Sequence, residues 1–238
     1  VRVFVAGGRG LVGSRLVARL RTEGHDVVVG SRAAGVDVLT GHGLGDALVG
    51  VDVVVDVLNT PDLDPEAATA FFRTTTQRLL AAEESTGVGH HVLLSVVGAD
   101  RAPGNGHLVG KVAAEDAVRD GDVPFSVVRA TQFGEFVPTI ADWLTVDGVV
   151  LAPRTLLRPV AVDDVVDLLV TTATGAPTGG TTDVAGPQVF ALDDLLRRAL
   201  PDDPREIRTV EGQALGAESA DALVPLGEFR TSSRTIVR

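Results

Sequence analysis

Cysteine, tyrosine and methionine are all missing from the 238 residues, and lysine occurs only at Lys111, every other one of the 21 basic residues being arginine. Without cysteine there are no disulfides, no thiolate nucleophile and no Cys-based zinc or iron–sulfur site. Without tyrosine no step can use a phenolic side chain. Basic residues are also outnumbered, and the net charge of −11 argues against nucleic-acid and anionic-membrane partners. No apolar run approaches the roughly 18 residues of a membrane helix. The opening run Val1–Ala6 is too short for a leader core, so a cytoplasmic protein is expected. A metal site is not expected either. His90 and His91 are strand neighbours pointing to opposite faces, and His25, His42 and His107 lie far apart. No G-x-S-x-G elbow is present for a hydrolase.

What remains is an ordinary globular composition, 45% hydrophobic and 22% charged, of a length that suits one domain. Short β-branched runs alternate with helical periodicity. The pattern predicts strands at Val1–Ala6, Asp26–Gly30, Val51–Leu58, His91–Val97 and Phe125–Arg129. It predicts helices at Leu11–Thr22, Pro65–Thr86 and from near Leu108 to Arg119. Such β-α-β alternation predicts an α/β, doubly wound parallel sheet of Rossmann type. After Ala130 the rhythm loosens. A short helix is expected at Gly134–Leu144, a strand at Val160–Ala161, a helix at Asp163–Thr172, a strand at Thr181–Ala185 and a helix at Leu192–Leu200, while Glu206–Arg238 has no assignable pattern. We expect one domain over 1–238, with a nucleotide-binding core at 1–133 and small substrate-capping segments at 134–160 and 187–238. The acidic pairs Asp163-Asp164, Asp193-Asp194 and Asp202-Asp203 are expected at helix starts, where they favour the dipole.

Gly7, Gly10 and Gly13 form G-x-x-G-x-x-G between the first strand and first helix. Glycines so placed give a tight turn, room for a pyrophosphate and close helix–strand packing. The amides of Gly10, Leu11, Val12 and Gly13 at the helix start would face the anion. Gly41, Gly43 and Gly45 imitate the spacing, but no long helix follows them. The second strand ends in Ser31-Arg32 where an NAD site usually carries an acid. A hydroxyl and a guanidinium suit a 2′-phosphate, with Arg9 helping, so NADP(H) is the expected cofactor. Asp37 is the nearest competing acid. Leu58, Asn59 and Thr60 follow the third strand at the carboxyl edge, where ligands of such sheets bind, although a plain turn beside Pro61 is equally good an explanation.

Ser95 ends a central strand, and His107 and Lys111, four residues apart, share one helix face. This arrangement resembles the Ser…Tyr-x-x-x-Lys constellation of the short-chain dehydrogenases/reductases. The glycine turn and the run Arg129-Ala130-Thr131-Gln132-Phe133 resemble their atypical, NmrA-like branch over about residues 1–187. The resemblance implies that Lys111 holds the nicotinamide ribose and that Ala130 and Thr131 line the cofactor. It implies a catalytic group of Ser95, His107 and Lys111, and a monomer. The departures are His107 at the tyrosine position and no asparagine in Pro65–Thr86. A branch member lacking that tyrosine is similar to angucyclinone ketoreductases, which implies a polycyclic aromatic polyketide ketone with phenols beside the carbonyl. Val97, Gln132, Phe133, Phe136, Trp143 and Phe190 are the candidate substrate contacts. Aromatic faces suit a flat polycycle, though each could equally pack a small core, as could Phe229. The expected activity is NADPH-dependent ketone reduction, the proton coming from His107, water or a substrate phenol. The alternatives are a non-catalytic NADP(H)-binding redox sensor and, less favoured without tyrosine, an isomerase or epimerase.

Overall fold

The computed structural model describes residues 1–62 and 64–236. Its first half follows the hydrophobic pattern closely. Strand β1 (Arg2–Ala6) leads into helix α1 (Leu11–Thr22), β2 (Asp26–Gly30), the short helix α2 (Leu44–Leu48), β3 (Val53–Asp56), α3 (Pro65–Thr86), β4 (His90–Val96), α4 (Gly106–Asp120) and β5 (Phe125–Ala130). Strands β1, β3 and β4 are buried along nearly their whole length, as expected of strands covered on both faces. Helix α3 starts where Asp64 caps it, accepting from the Ala67 amide, with Pro65 in its first turn. It stops at Gly87, whose φ of +77° only glycine adopts at low cost.

Later come α5 (Val137–Trp143), β6 (Thr145–Val146), β7 (Val149–Pro153), β8 (Leu156–Leu157), α6 (Val162–Thr174), β9 (Thr181–Ala185), β10 (Phe190–Ala191), α7 (Leu192–Ala199), β11 (Glu206–Val210) and β12 (Arg230–Thr231). The main sheet has seven strands in the order β12-β9-β5-β4-β3-β1-β2. The pairs β1–β2, β1–β3, β3–β4 and β9–β12 are parallel. The expected doubly wound α/β fold is therefore the one observed.

The chain divides into two compact units. Val1–Ser95, Gly106–Arg129 and Val166–Thr182 make the first; Val96–Asn105, Ala130–Val165 and Asp183–Arg238 make the second. In the first, α3 and α4 pack closely because residue 110 is glycine. A Cβ there would lie 2.6 Å from the Phe72 ring and 2.9 Å from the Ala68 carbonyl. In the second, β6 and β7 form a hairpin through Asp147 and Gly148, both at positive φ, the backbone that a two-residue hairpin turn requires. Strand β11 extends this hairpin in parallel with β7. Arg101 donates to the carbonyls of Ala222 and Val224, and Asp164 accepts from Ser232 and Arg234, so side chains tie down the poorly patterned tail.

Several expectations need adjustment. The third strand is shorter than Val51–Leu58, because Asp56 Oδ1 accepts the Leu58 amide and ends it. Val160 makes an isolated bridge with Phe133 instead of a strand with Ala161. Asp202-Asp203 do not start a helix; Asp203 pairs with Arg205 ahead of β11. The two other acidic pairs do occupy first turns, of α6 and α7. Among the described residues no helix is long and apolar enough to cross a membrane, and no cluster of potential metal ligands occurs.

Candidate functional site

The order of the chain reverses between β1 and β3, the place in an open α/β sheet where the loops part and a ligand can enter. The glycine turn lies there. Gly7 has a φ of +82°, and a Cβ on it would come within 3.0 Å of the Val57 carbonyl. A Cβ on Gly13 would lie 2.2 Å from the Gly7 carbonyl oxygen, so α1 can start this close to β1 only with glycine at 13. Gly10 caps α1 with extended backbone and no side-chain bond, and no acid occupies the first turn. Ser14 is the first amide to bond back into the helix, to Gly10. The amides of Leu11, Val12 and Gly13 thus precede the ladder and can meet an anion.

At the end of β2 the Ser31 hydroxyl oxygen is buried and has no hydrogen-bond partner among the described residues. Arg32 follows at the start of a short 3-10 turn, and neither Arg32 nor Arg9 pairs with a carboxylate among the described residues. Asp37 Oδ1 instead accepts the amides of Leu39 and Thr40, which commits it to its own turn. The Ser31 hydroxyl and the Arg32 guanidinium are thus groups at the end of β2 that could hold the ribose end of a nucleotide.

On the α3–α4 side of the sheet Lys111 is nearly enclosed, 5% exposed. Its Nζ donates to the carbonyls of Leu58 and Leu94, both at 3.0 Å, and stands 4.5 Å from the centre of the Phe72 ring. Burial brings its pKa down to about 8, against the pull of Asp56 and Glu115. His107 packs edge-on against the same Phe72 ring, 5.2 Å between centres. Burial first, and the Lys111 charge second, lower the His107 pKa to about 4, despite a hydrogen bond with the Thr60 backbone. The ring is therefore neutral near pH 7. Ser95 is 1% exposed. Its hydroxyl lies close enough to the Glu115 carboxylate to help lower that pKa, but in a geometry short of a proper hydrogen bond. Glu115 is held by Arg129 and Arg119. Burial opposes its charge, yet the bonds from Arg129, then Ser95 and Arg119, keep its pKa below the ordinary range.

The structure thus brings Ser95, His107 and Lys111 together around α4, with the Leu58 carbonyl engaged by the lysine. Thr60 is half-buried and Asn59 exposed. Phe72, Glu115 and Asp56 went unread in the sequence. Glu115 had a signal, since His107, Lys111 and Glu115 form a polar i, i+4, i+8 stripe on a helix of small and apolar residues. Phe72 had none, looking like any core position of α3.

The remaining candidates lie in the second unit. Val97 is buried, and its amide bonds the Ala130 carbonyl. The Thr131 amide bonds Val184, and its hydroxyl donates to the Arg158 carbonyl. Gln132 has a buried Oε1 with no partner among the described residues. Phe133 and Phe136 lean together at 6.2 Å, Trp143 is 54% exposed, and Phe190 stands 5.9 Å from the Arg198 guanidinium. Phe229 is stacked by Arg158 at 4.4 Å.

Residues 3–111, a little under half of the chain, match the NAD dependent epimerase/dehydratase family. No curated protein sequence matches. Among solved structures the chain is similar to MoeE5 in complex with UDP-glucose and NAD, at 20% identity and a TM-score of 0.71, over 98% of this chain and 88% of that one. It is similar to a dTDP-4-dehydrorhamnose reductase from Clostridium acetobutylicum at 13% identity and a TM-score of 0.75, over 98% and 90%. It is also similar to a short-chain dehydrogenase/reductase superfamily protein from Agrobacterium tumefaciens with bound NAD, at 18% identity and a TM-score of 0.70, over 98% and 89%. At these identities the likeness is one of fold.

Proposed function

We propose that the chain is an NADPH-dependent reductase of a ketone on a polycyclic aromatic polyketide, of the NmrA-like kind. The observation that carries the cofactor part is the end of β2. Ser31 offers a buried hydroxyl without a partner, Arg32 and Arg9 are uncommitted, and Asp37, the acid that could have held a ribose diol, is spent on its own turn. The glycine turn and the free amides of Leu11 to Gly13 receive the pyrophosphate. Several solved neighbours hold NAD, so the preference for the phosphorylated cofactor belongs to these residues and not to the fold.

When bound, the cofactor supplies a hydride to the carbonyl carbon. The protein's part is to hold the ketone and stabilise the oxygen that becomes an alkoxide. His107 is neutral and its one N–H is engaged by the Thr60 backbone, and an imidazole with a pKa near 4 holds no spare proton at pH 7. Lys111 spends two N–H groups on backbone carbonyls, and tyrosine is absent. The economical proton source is a phenol beside the carbonyl of the substrate itself. The phenol protonates the alkoxide, and the phenolate regains its proton from water. The test is NADPH oxidation in the presence of aromatic ketones with and without a neighbouring phenol. Turnover restricted to the phenolic ketones supports the reading, and equal turnover of both removes the substrate-derived proton.

A second reading is a dinucleotide-binding sensor without turnover. It is favoured by Lys111 spending two of its three N–H groups on Leu58 and Leu94 and by Ser95 being buried toward Glu115. Tight NADPH binding with no oxidation by any ketone would select it. An epimerase is disfavoured because the chain has no tyrosine to move the proton.

A further inference from the structure

The β3–β4 ladder runs from Val53–His90 to Asp56–Leu93 and ends there. Just past it the Leu94 carbonyl faces no β3 residue in register, and the Leu58 carbonyl belongs to the departing loop. Lys111 Nζ enters this gap and donates 3.0 Å to each. It therefore does the work of the ladder's missing amides, at the carboxyl edge where a ligand is to be held. The Phe72 ring, itself 2% exposed, covers the ammonium at 4.5 Å and turns its edge to His107. Gly110 makes room for that ring, since a Cβ there would meet it at 2.6 Å.

We propose that Phe72 is a positioning residue: it closes the Lys111 ammonium off from water, so that the lysine braces the ends of β3 and β4 and does not pass protons to solvent. The charged and titratable groups facing the lysine are few. From β3 there is Asp56, whose Oδ1 accepts the Leu58 amide; from α4 there are Glu115, occupied by Arg129 and Arg119, and neutral His107. From α3 comes the Phe72 ring. Among the described residues neither carboxylate forms an ion pair with the ammonium, so its hydrogen-bond partners are the two backbone carbonyls. Removing the ring has two opposed effects. The lost attraction of the π-face for a cation lowers the amine's pKa, and admitted water raises it; for a group this enclosed, hydration is the larger effect. The bearing of this seal on turnover rests on the reductase reading, but the state of the lysine does not.

Because Lys111 is the chain's one lysine, protein grown on lysine labelled with carbon-13 at Cε gives a single side-chain signal. Its pH titration can be followed in the cofactor-free protein. In the native chain the midpoint is expected well below 10.5, near the value of about 8 that burial imposes. Phe72→Ala should raise it by about one pH unit or more, and Phe72→Leu, which keeps apolar volume, by less. A native midpoint near 10.5 overturns the proposal outright, whether or not the variants fold. So does an unchanged midpoint in either variant that retains the native amide fingerprint. Absence of NADPH binding would overturn the reductase reading and leave this titration as it is.

Discussion

At the end of β2 the contest between two cofactors comes down to Ser31, Arg32 and a preoccupied Asp37. A charge-assisted bond to a phosphate contributes about 1.5–3 kcal/mol. Arg32→Ala should therefore weaken NADPH binding by roughly 10- to 100-fold and leave NADH nearly unchanged, read by titration of cofactor fluorescence. Equal losses for both cofactors would remove Arg32 from phosphate recognition. At His107 the expectation is a modest effect. His107→Phe should lower kcat by less than about tenfold if the substrate brings its own proton, whereas a loss nearer 10⁴-fold would make the imidazole the acid. The sequence made Lys111 conspicuous through composition alone, a single lysine among twenty arginines. It could not reveal that the amine bonds Leu58 and Leu94 carbonyls, because those contacts come from three separated segments. Phe72 was invisible for the same reason, its aromatic neighbour His107 being 35 positions away.

Among elements, α1 and α3 were legible to the residue. Each carries continuous apolar periodicity, and α3 carries its own stop and start signals in Asp64, Pro65 and Gly87. The β6–β7 hairpin went unread although Asp147-Gly148 is a strong turn pair, since its strands are too short to show alternation. Strands β11 and β12 owe their existence to partners far along the chain and have no local pattern to display. The α3–α4 interface makes its own prediction. Gly110→Ala should cost about 1–3 kcal/mol of unfolding free energy by overpacking, since the added methyl meets both the Phe72 ring and the Ala68 carbonyl. Chemical denaturation measures it, and an unaltered midpoint would mean that the helices have slack.

For the molecule as a whole, acid is the expected weakness. Burial lowers both His90, further depressed by His91, and His107 to about 4. The unfolded chain binds protons at these positions from about pH 6.5 downward and the folded chain does not until about pH 4, so stability falls across that window. Glu115, Asp164 and Asp193, held low by their arginine and hydroxyl partners against the cost of burial, lose their contribution further down. His91 has the opposite sign. Burial opposes its charge, but Glu83 raises its pKa, so its contribution is full below 6.5 and fades as pH rises through the raised value. With two histidines against one across this window, the urea midpoint should be higher at about pH 7 than at about pH 5; a flat profile would contradict these assignments. The enclosed amine has a last, practical consequence. Within these 238 residues a lysine-specific protease has a single peptide bond to attack, and it lies in the middle of α4 behind Phe72. Cleavage into two fragments therefore clocks the opening of that helix, and any ligand that slows the cut must be holding this part of the protein shut.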